Sequence, residues 1–183
     1  MTSGASPQFG VAPLGPALLE DPVAFLSAEH TRQIALLGHL DRLARAPAAR
    51  GARRMAEALL RWLTEELPIH IADEERSLYP RLAPHDAAGV VARLSAEHRR
   101  DATLAAEVVR GLRSLSAAGV VDPAFVGTTA AFTRLHREHL AFEEAAVTPL
   151  ARQALTPESR ATLAAEMAAR RGLQDTGSCP TQP

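Results

Sequence analysis

The sequence predicts an all-α protein, an up-down-up-down four-helix bundle with a short extra C-terminal helix. Three observations carry this. Four long stretches repeat apolar residues at the helical period, and nothing shows the sustained alternation of a strand. Helix-start and helix-stop residues separate those stretches. The joints between them are short, which favours neighbouring helices running in opposite directions.

The elements follow in order. Residues 1–20 carry Pro7, Pro13 and Pro16 and are expected to form a flexible arm. Asp21 and Pro22 then supply an N-cap and a proline at the first helical position. Helix 1 is expected to reach about residue 46, with Leu26, His30, Ile34 and Leu37 on one face. Helix 2 covers residues 51–82, with Trp62, Leu63, Leu67, His70, Glu74 and Leu78 along one stripe. Pro68 inside it predicts a kink that frees the Thr64 carbonyl. Pro84 and Asp86 restart the chain, and helix 3 continues to about residue 118, with Gly119 as its C′ residue. Asp122 and Pro123 repeat the start signal for helix 4, which reaches about residue 151. Thr156 and Pro157 open helix 5, which ends before Gly172. Residues 173–183 read as a disordered tail, so the domain is expected to span 21–172.

Composition narrows the function. A chain of 183 residues suits one domain. Its formal net charge is −1, so nothing draws it electrostatically to nucleic acid or anionic lipid. The single cysteine, Cys179, excludes an intramolecular disulfide and any cysteine-built metal site. No apolar stretch reaches the ~20 residues of a membrane span. The first twenty residues carry no positive charge and do not read as a signal peptide. The expected compartment is the cytoplasm.

The chain also repeats itself. Leu26, Ser27, Ala28, Glu29 and His30 recur letter for letter as Leu94, Ser95, Ala96, Glu97 and His98. His70, Glu74, Glu75 and Pro80 recur at the same spacing as His139, Glu143, Glu144 and Pro149. The two motifs keep their order, which marks residues 26–82 and 94–151 as a duplicated two-helix unit. Residues i and i+4 share a helix face, so His70 pairs with Glu74, and His139 with Glu143. At 1.5 Å rise per residue, His30, His70, His98 and His139 all fall roughly 14–18 Å from one end of an antiparallel bundle.

Four imidazoles and two carboxylates thus meet in one apolar layer. Two buried carboxylates cost several kcal/mol unless compensated. No arginine lies on these faces at that depth, so the compensation is imidazolium or a metal. A metal is the reading adopted, with His30, His70, Glu74, His98, His139 and Glu143 as ligands. Nitrogen and oxygen donors suit Fe, Mn or Zn. Two equivalent sets imply two ions, each with about two coordination positions left for water or a small exogenous ligand. Two ferric ions against two carboxylates would need an oxo or hydroxo bridge.

These residues resemble the hemerythrin-like HHE cation-binding family. Its signature is Glu-His on one helix and His-x-x-x-Glu-Glu…Pro on the next, twice over. Here that is Glu29-His30, His70 to Pro80, Glu97-His98 and His139 to Pro149. The resemblance covers about residues 21–151. It implies a non-haem di-iron centre in a four-helix bundle, with family roles in oxygen binding, oxygen or nitric oxide response, iron sensing and repair of iron centres. The expected partner is a small diatomic ligand or peroxide. An enzyme or iron-handling role, and a structural bundle with zinc or no metal, are the alternatives. The chain departs from the oxygen carriers of that family, which place a fifth histidine one turn beyond the third-helix histidine. That position is Ala102, and its counterpart after His30 is Ile34. Those oxygen carriers also end with a carboxylate five residues after the last histidine, which would be Glu144 here. Glu143 is preferred because i+4 keeps it on the histidine face.

Other polar residues receive plainer readings. His136 is expected at the rim or behind the ligands, with a fifth nitrogen ligand as the alternative. His39 is expected to face solvent, and His85 reads as part of a Pro84-His85-Asp86 turn with no further role. Glu75 and Glu144 are expected to face solvent, although either could replace its neighbour. Glu29 and Glu97 read as surface charges, with hydrogen bonding to a ligand as the alternative. Glu66 is weighed as a hydrogen-bond partner, and Tyr79 reads as core filling.

Overall fold

The computed structural model describes residues 12–86 and 88–173. Asp21 starts α1 (Pro22–Arg45): its Oδ1 accepts from the amides of Val23 at 3.1 Å and Ala24 at 3.0 Å. A long helical run, α2, covers residues 52–82. Asp86 then caps α3 (Val90–Ala118) by accepting from the amides of Val90 and Val91. Gly119 closes α3 at φ 73°, the left-handed conformation that favours glycine at this place. The last two helices are α4 (Phe125–Ala154) and α5 (Pro157–Arg170), the latter capped by Thr156. There is no strand among the described residues.

Of the expected arm, residues 1–11 lie outside the described residues, and Pro16–Glu20 forms a 3-10 turn with Leu19 buried. Residues 174–183 of the expected tail, including Cys179, also lie outside them. Among the described residues, no helix is long and apolar enough to cross a membrane.

At Pro68, where a kink was expected, the helix is locally widened. Proline lacks an amide hydrogen, and its ring crowds the carbonyl four residues back. In α2 two wide π turns absorb this, Trp62–Glu66 before Pro68 and Glu74–Leu78 before Pro80. Leu67 donates to the Trp62 carbonyl and Tyr79 to that of Glu74, five residues back in each case. Pro149, the repeat counterpart of Pro80, sits in an unbroken α-helix.

Helix α1 packs on α4, α4 on α3, and α3 on α2. Two apolar clusters fill the space between them. One gathers Leu37, Leu40, Leu59, Trp62, Leu112 and Phe132. The other gathers Phe25, Leu26, Leu78, Leu94, Val147 and Met167. At full burial each such side chain contributes about 1.5–3 kcal/mol. Gly111 lets α4 close on α3, since a Cβ there would collide with the Phe125 ring. The α2 stripe is buried as the periodicity predicts. On α1 the prediction fails at Ile34, which is 42% exposed, while Gln33 is buried. A straight helix drifts against an exact repeat, so the buried stripe passes from His30 to Gln33 and Leu37.

Candidate metal centre

Between the two apolar clusters lies a polar layer. His30 comes from α1, His70 and Glu74 from α2, His98 from α3, and His139 and Glu143 from α4. All six side chains are buried, none more than 8% exposed. Coordinating atoms of His30, His70, Glu74 and Glu143 lie within 4.8 Å of one another, and so do those of His98, His139 and Glu143. The structure therefore brings together every residue proposed from the spacing.

The four Nε2 atoms face inward. His30 Nε2 is 3.4 Å from Glu74 Oε1 and 3.4 Å from Glu143 Oε2. His70 Nε2 is 3.2 Å from Glu74 Oε1, and His139 Nε2 is 3.3 Å from Glu143 Oε2. His98 Nε2 is 3.5 Å from Glu74 Oε2 and 3.0 Å from His139 Nε2.

The four Nδ1 atoms face outward, each to a glutamate on a different helix. His30 meets Glu144 at 2.7 Å and His98 meets Glu75 at 2.8 Å. His70 meets Glu29 at 2.9 Å and His139 meets Glu97 at 3.0 Å. Ser27 donates to Glu144, and Ser95 to Glu75. The bonds of one repeat map onto those of the other.

This corrects the sequence reading. Glu29 and Glu97 are not surface charges, and Glu75 and Glu144 do not simply face solvent. Each is displaced around its own helix from the nearest site residue, so it cannot serve that residue. It points instead at a histidine of the neighbouring helix. The duplication carried this signal, because both copies keep a glutamate beside the histidine and a doubled Glu-Glu.

The arrangement fits a bound cation. A carboxylate accepting from Nδ1–H fixes the tautomer in which Nε2 bears a lone pair. Two such lone pairs at 3.0 Å, on His98 and His139, repel unless a proton or metal lies between them. His70 Nε2, Glu74 Oε2 and Glu143 Oε2 are buried without a hydrogen-bond partner, which buried polar atoms rarely tolerate. Without metal, protons fill the role. Burial opposes charge on His30, yet the hydrogen bonds its ring donates to Glu144 and Glu74 outweigh it and hold the imidazole up to about 9. Burial opposes charge on His139 as well, and Glu143 outweighs it, giving about 8. Glu74 is held well below the usual carboxylate range: burial works against this, but the His70 charge overrides it.

Other candidates fall outside the layer. His136 is buried and hydrogen-bonds Gln33 Oε1 at 2.7 Å, and burial with the nearby His139 keeps it well below its ordinary value. It belongs to neither cluster of coordinating atoms. Its ring stacks between Phe132 and His139. Ile34 and Ala102, the places of a fifth histidine, are exposed. Glu66 pairs with Arg32 instead of a histidine. His39 pairs with Arg42, and His85 is exposed. Tyr79 does more than fill the core: its hydroxyl donates to Glu143 Oε1 at 2.5 Å, and its ring stacks on His98. Burial and the carboxylates of Glu74 and Glu143 push its phenol up.

A small cavity of about 10 Å³ adjoins the layer, lined by Val23, Leu26, Val147 and Thr148 with His30, Glu74 and Glu143. A larger cleft of about 400 Å³ around Arg110 and Phe125 is lined by none of the six residues.

The fold and the layer define an all-helical protein with a buried histidine–carboxylate metal-binding site. The profile of the Hemerythrin HHE cation binding domain matches residues 21–151, and the chain belongs to that family. No curated protein matches the chain.

Proposed function

We propose that the chain is a non-haem di-iron protein whose centre binds or responds to a small molecule: oxygen, nitric oxide or peroxide. The observation that carries this is the inward convergence of four Nε2 lone pairs and two carboxylates, three of their atoms buried without a partner. His30 and His70 would hold one ion, and His98 and His139 the other, with Glu74 and Glu143 shared. Nitrogen and oxygen donors without sulfur favour iron, manganese or zinc. Family membership favours iron among them. When bound, an iron pair supplies redox-active Lewis-acid positions.

The chain's own residues do the rest. Glu144, Glu29, Glu75 and Glu97 hold the imidazoles in the ligating tautomer and orientation. Leu26, Leu78 and Val147 exclude bulk water, and the adjoining cavity is about one water in size. That size favours ligands of two or three atoms. The duplicated unit and short joints support an up-down-up-down order for the four long helices. Composition supports a cytoplasmic location and no nucleic-acid or membrane partner.

Elemental mass spectrometry on protein purified without a histidine tag tests the reading. Two irons per chain are expected, with an optical spectrum that responds to oxygen, peroxide or nitric oxide. One zinc, or no metal after growth in ample iron, would overturn it.

A further inference from the structure

The two central carboxylates are not equivalent, and the difference lies in their second oxygens. Glu74 addresses the two histidine pairs with separate atoms. Its Oε1 lies 3.4 Å from His30 Nε2 and 3.2 Å from His70 Nε2, while Oε2 lies 3.5 Å from His98 Nε2. Glu143 addresses both pairs with one atom, since Oε2 is 3.4 Å from His30 Nε2 and 3.3 Å from His139 Nε2. Its other oxygen is occupied, because Oε1 accepts the Tyr79 hydroxyl at 2.5 Å.

From this geometry we infer that Tyr79 is a positioning residue that keeps Glu143 bound to the metal pair through Oε2 alone, so that Oε1 does not compete for the position an exogenous ligand needs. The inference rests on the two-metal reading above.

Three features support it. The bond is a charge-assisted O–H···O⁻ contact, the stronger kind. The phenol is the only one in the chain, and it is fixed at both ends. Its ring stacks on His98 with centroids 6.0 Å apart. Its backbone follows directly on the π turn Glu74–Leu78. That turn widens the helix between Glu74 and Tyr79 and swings the ring across to α4. The repeat counterpart, Thr148, follows a regular α-helical stretch and lines the small cavity instead. Glu143 itself is 1% exposed, so without the phenol its Oε1 has no water to turn to. A buried carboxylate oxygen left without a donor seeks the nearest cation, which here is a metal.

Tyr79→Phe removes the hydroxyl and keeps the ring. Wild type and variant are loaded with cobalt(II), whose visible absorption reports coordination, and titrated with azide. Both are expected to hold two cobalt ions per chain. The variant is expected to show an altered visible band and azide binding weaker by about tenfold, the low end of outer-shell effects. Two cobalt ions in each, with identical bands and identical azide affinity, would overturn the inference alone. Fewer than two in the wild type would overturn the two-metal reading and this inference with it. A crystal structure of the cobalt-loaded wild type checks the point without the variant. Oε1 on Tyr79 and off the metal is expected; Oε1 on a cobalt ion would overturn it.

Discussion

The two halves of the duplication agree at the histidines and part company one residue before each central glutamate. Asp73 stands in the first half where Phe142 stands in the second. Asp73 is fully buried and binds two arginines of the C-terminal segment, Arg170 and Arg171, each at 2.6 Å. Arg171 also reaches Glu29 at 3.3 Å, and Ser77 and Arg81 bind Glu166 of α5. The first half is thus clamped to α5. Phe142 instead lies under the guanidinium of Arg93, 3.6 Å from the ring centroid, and Arg93 supports Glu97 from a half-exposed position. The six inward residues and the glutamates behind their histidines are the same in both halves. Positions one step outward were free to differ, and there the fifth helix was attached to one side.

The largest effect should fall equally on both halves. His70→Ala and His139→Ala each remove an inward nitrogen, so each should lose most bound metal. Metal bound only by the folded state contributes about 4 kcal/mol when free metal is a thousandfold above Kd. Metal content and thermal unfolding check this, and full metal retention in both variants would break the symmetry at its centre.

The next effect should be one-sided. Asp73→Ala removes the buried carboxylate that two partly buried arginines share and should cost about 3 kcal/mol. Phe142→Ala loses an exposed cation–π contact and some apolar area, about 1 kcal/mol. Denaturant unfolding of the pair measures the difference, and equal costs would show that the α5 clamp carries no special weight.

A smaller contrast concerns the outer carboxylates. Glu29→Gln and Glu97→Gln should each weaken metal binding by about 10- to 100-fold. The Glu29 variant should lose more, because Arg171 then keeps only Asp73 of its two carboxylate partners and its charge beside His70 is less compensated. Competition with a calibrated chelator reads both affinities.

The smallest effect is a pH dependence of the metal-free protein. His30 and His139 are raised above 6.5 in the fold, to about 9 and about 8. Protonated imidazole therefore stabilises the metal-free fold. That contribution is complete below about 6.5 and is lost as pH climbs through 8 and 9. The metal-loaded protein should respond in the opposite sense, releasing metal as protons compete for Nε2 in acid. Thermal melts from pH 6 to 10, with and without metal, measure both directions. A metal-free melting temperature that rises over that range would contradict the ion pairing of the layer.

The sequence by itself determined the helices, the duplication and the inward layer. Helical periodicity and the i, i+4 rule are local, so His70 with Glu74 and His139 with Glu143 could be placed on shared faces from spacing alone. Capping residues are equally local, and Asp21, Gly119 and Thr156 act where they were expected. What only the tertiary structure decided is whatever crosses between helices. Glu29 meets His70, Glu144 meets His30, and Tyr79 meets Glu143 over separations that no spacing rule reaches. The π turns belong here too, since a proline announces strain but not the hydrogen-bond pattern that relieves it. Side-chain direction across an interface depends on the rotation of two helices about their own axes. That rotation is set by the packing of the whole core, not by any one segment of the chain.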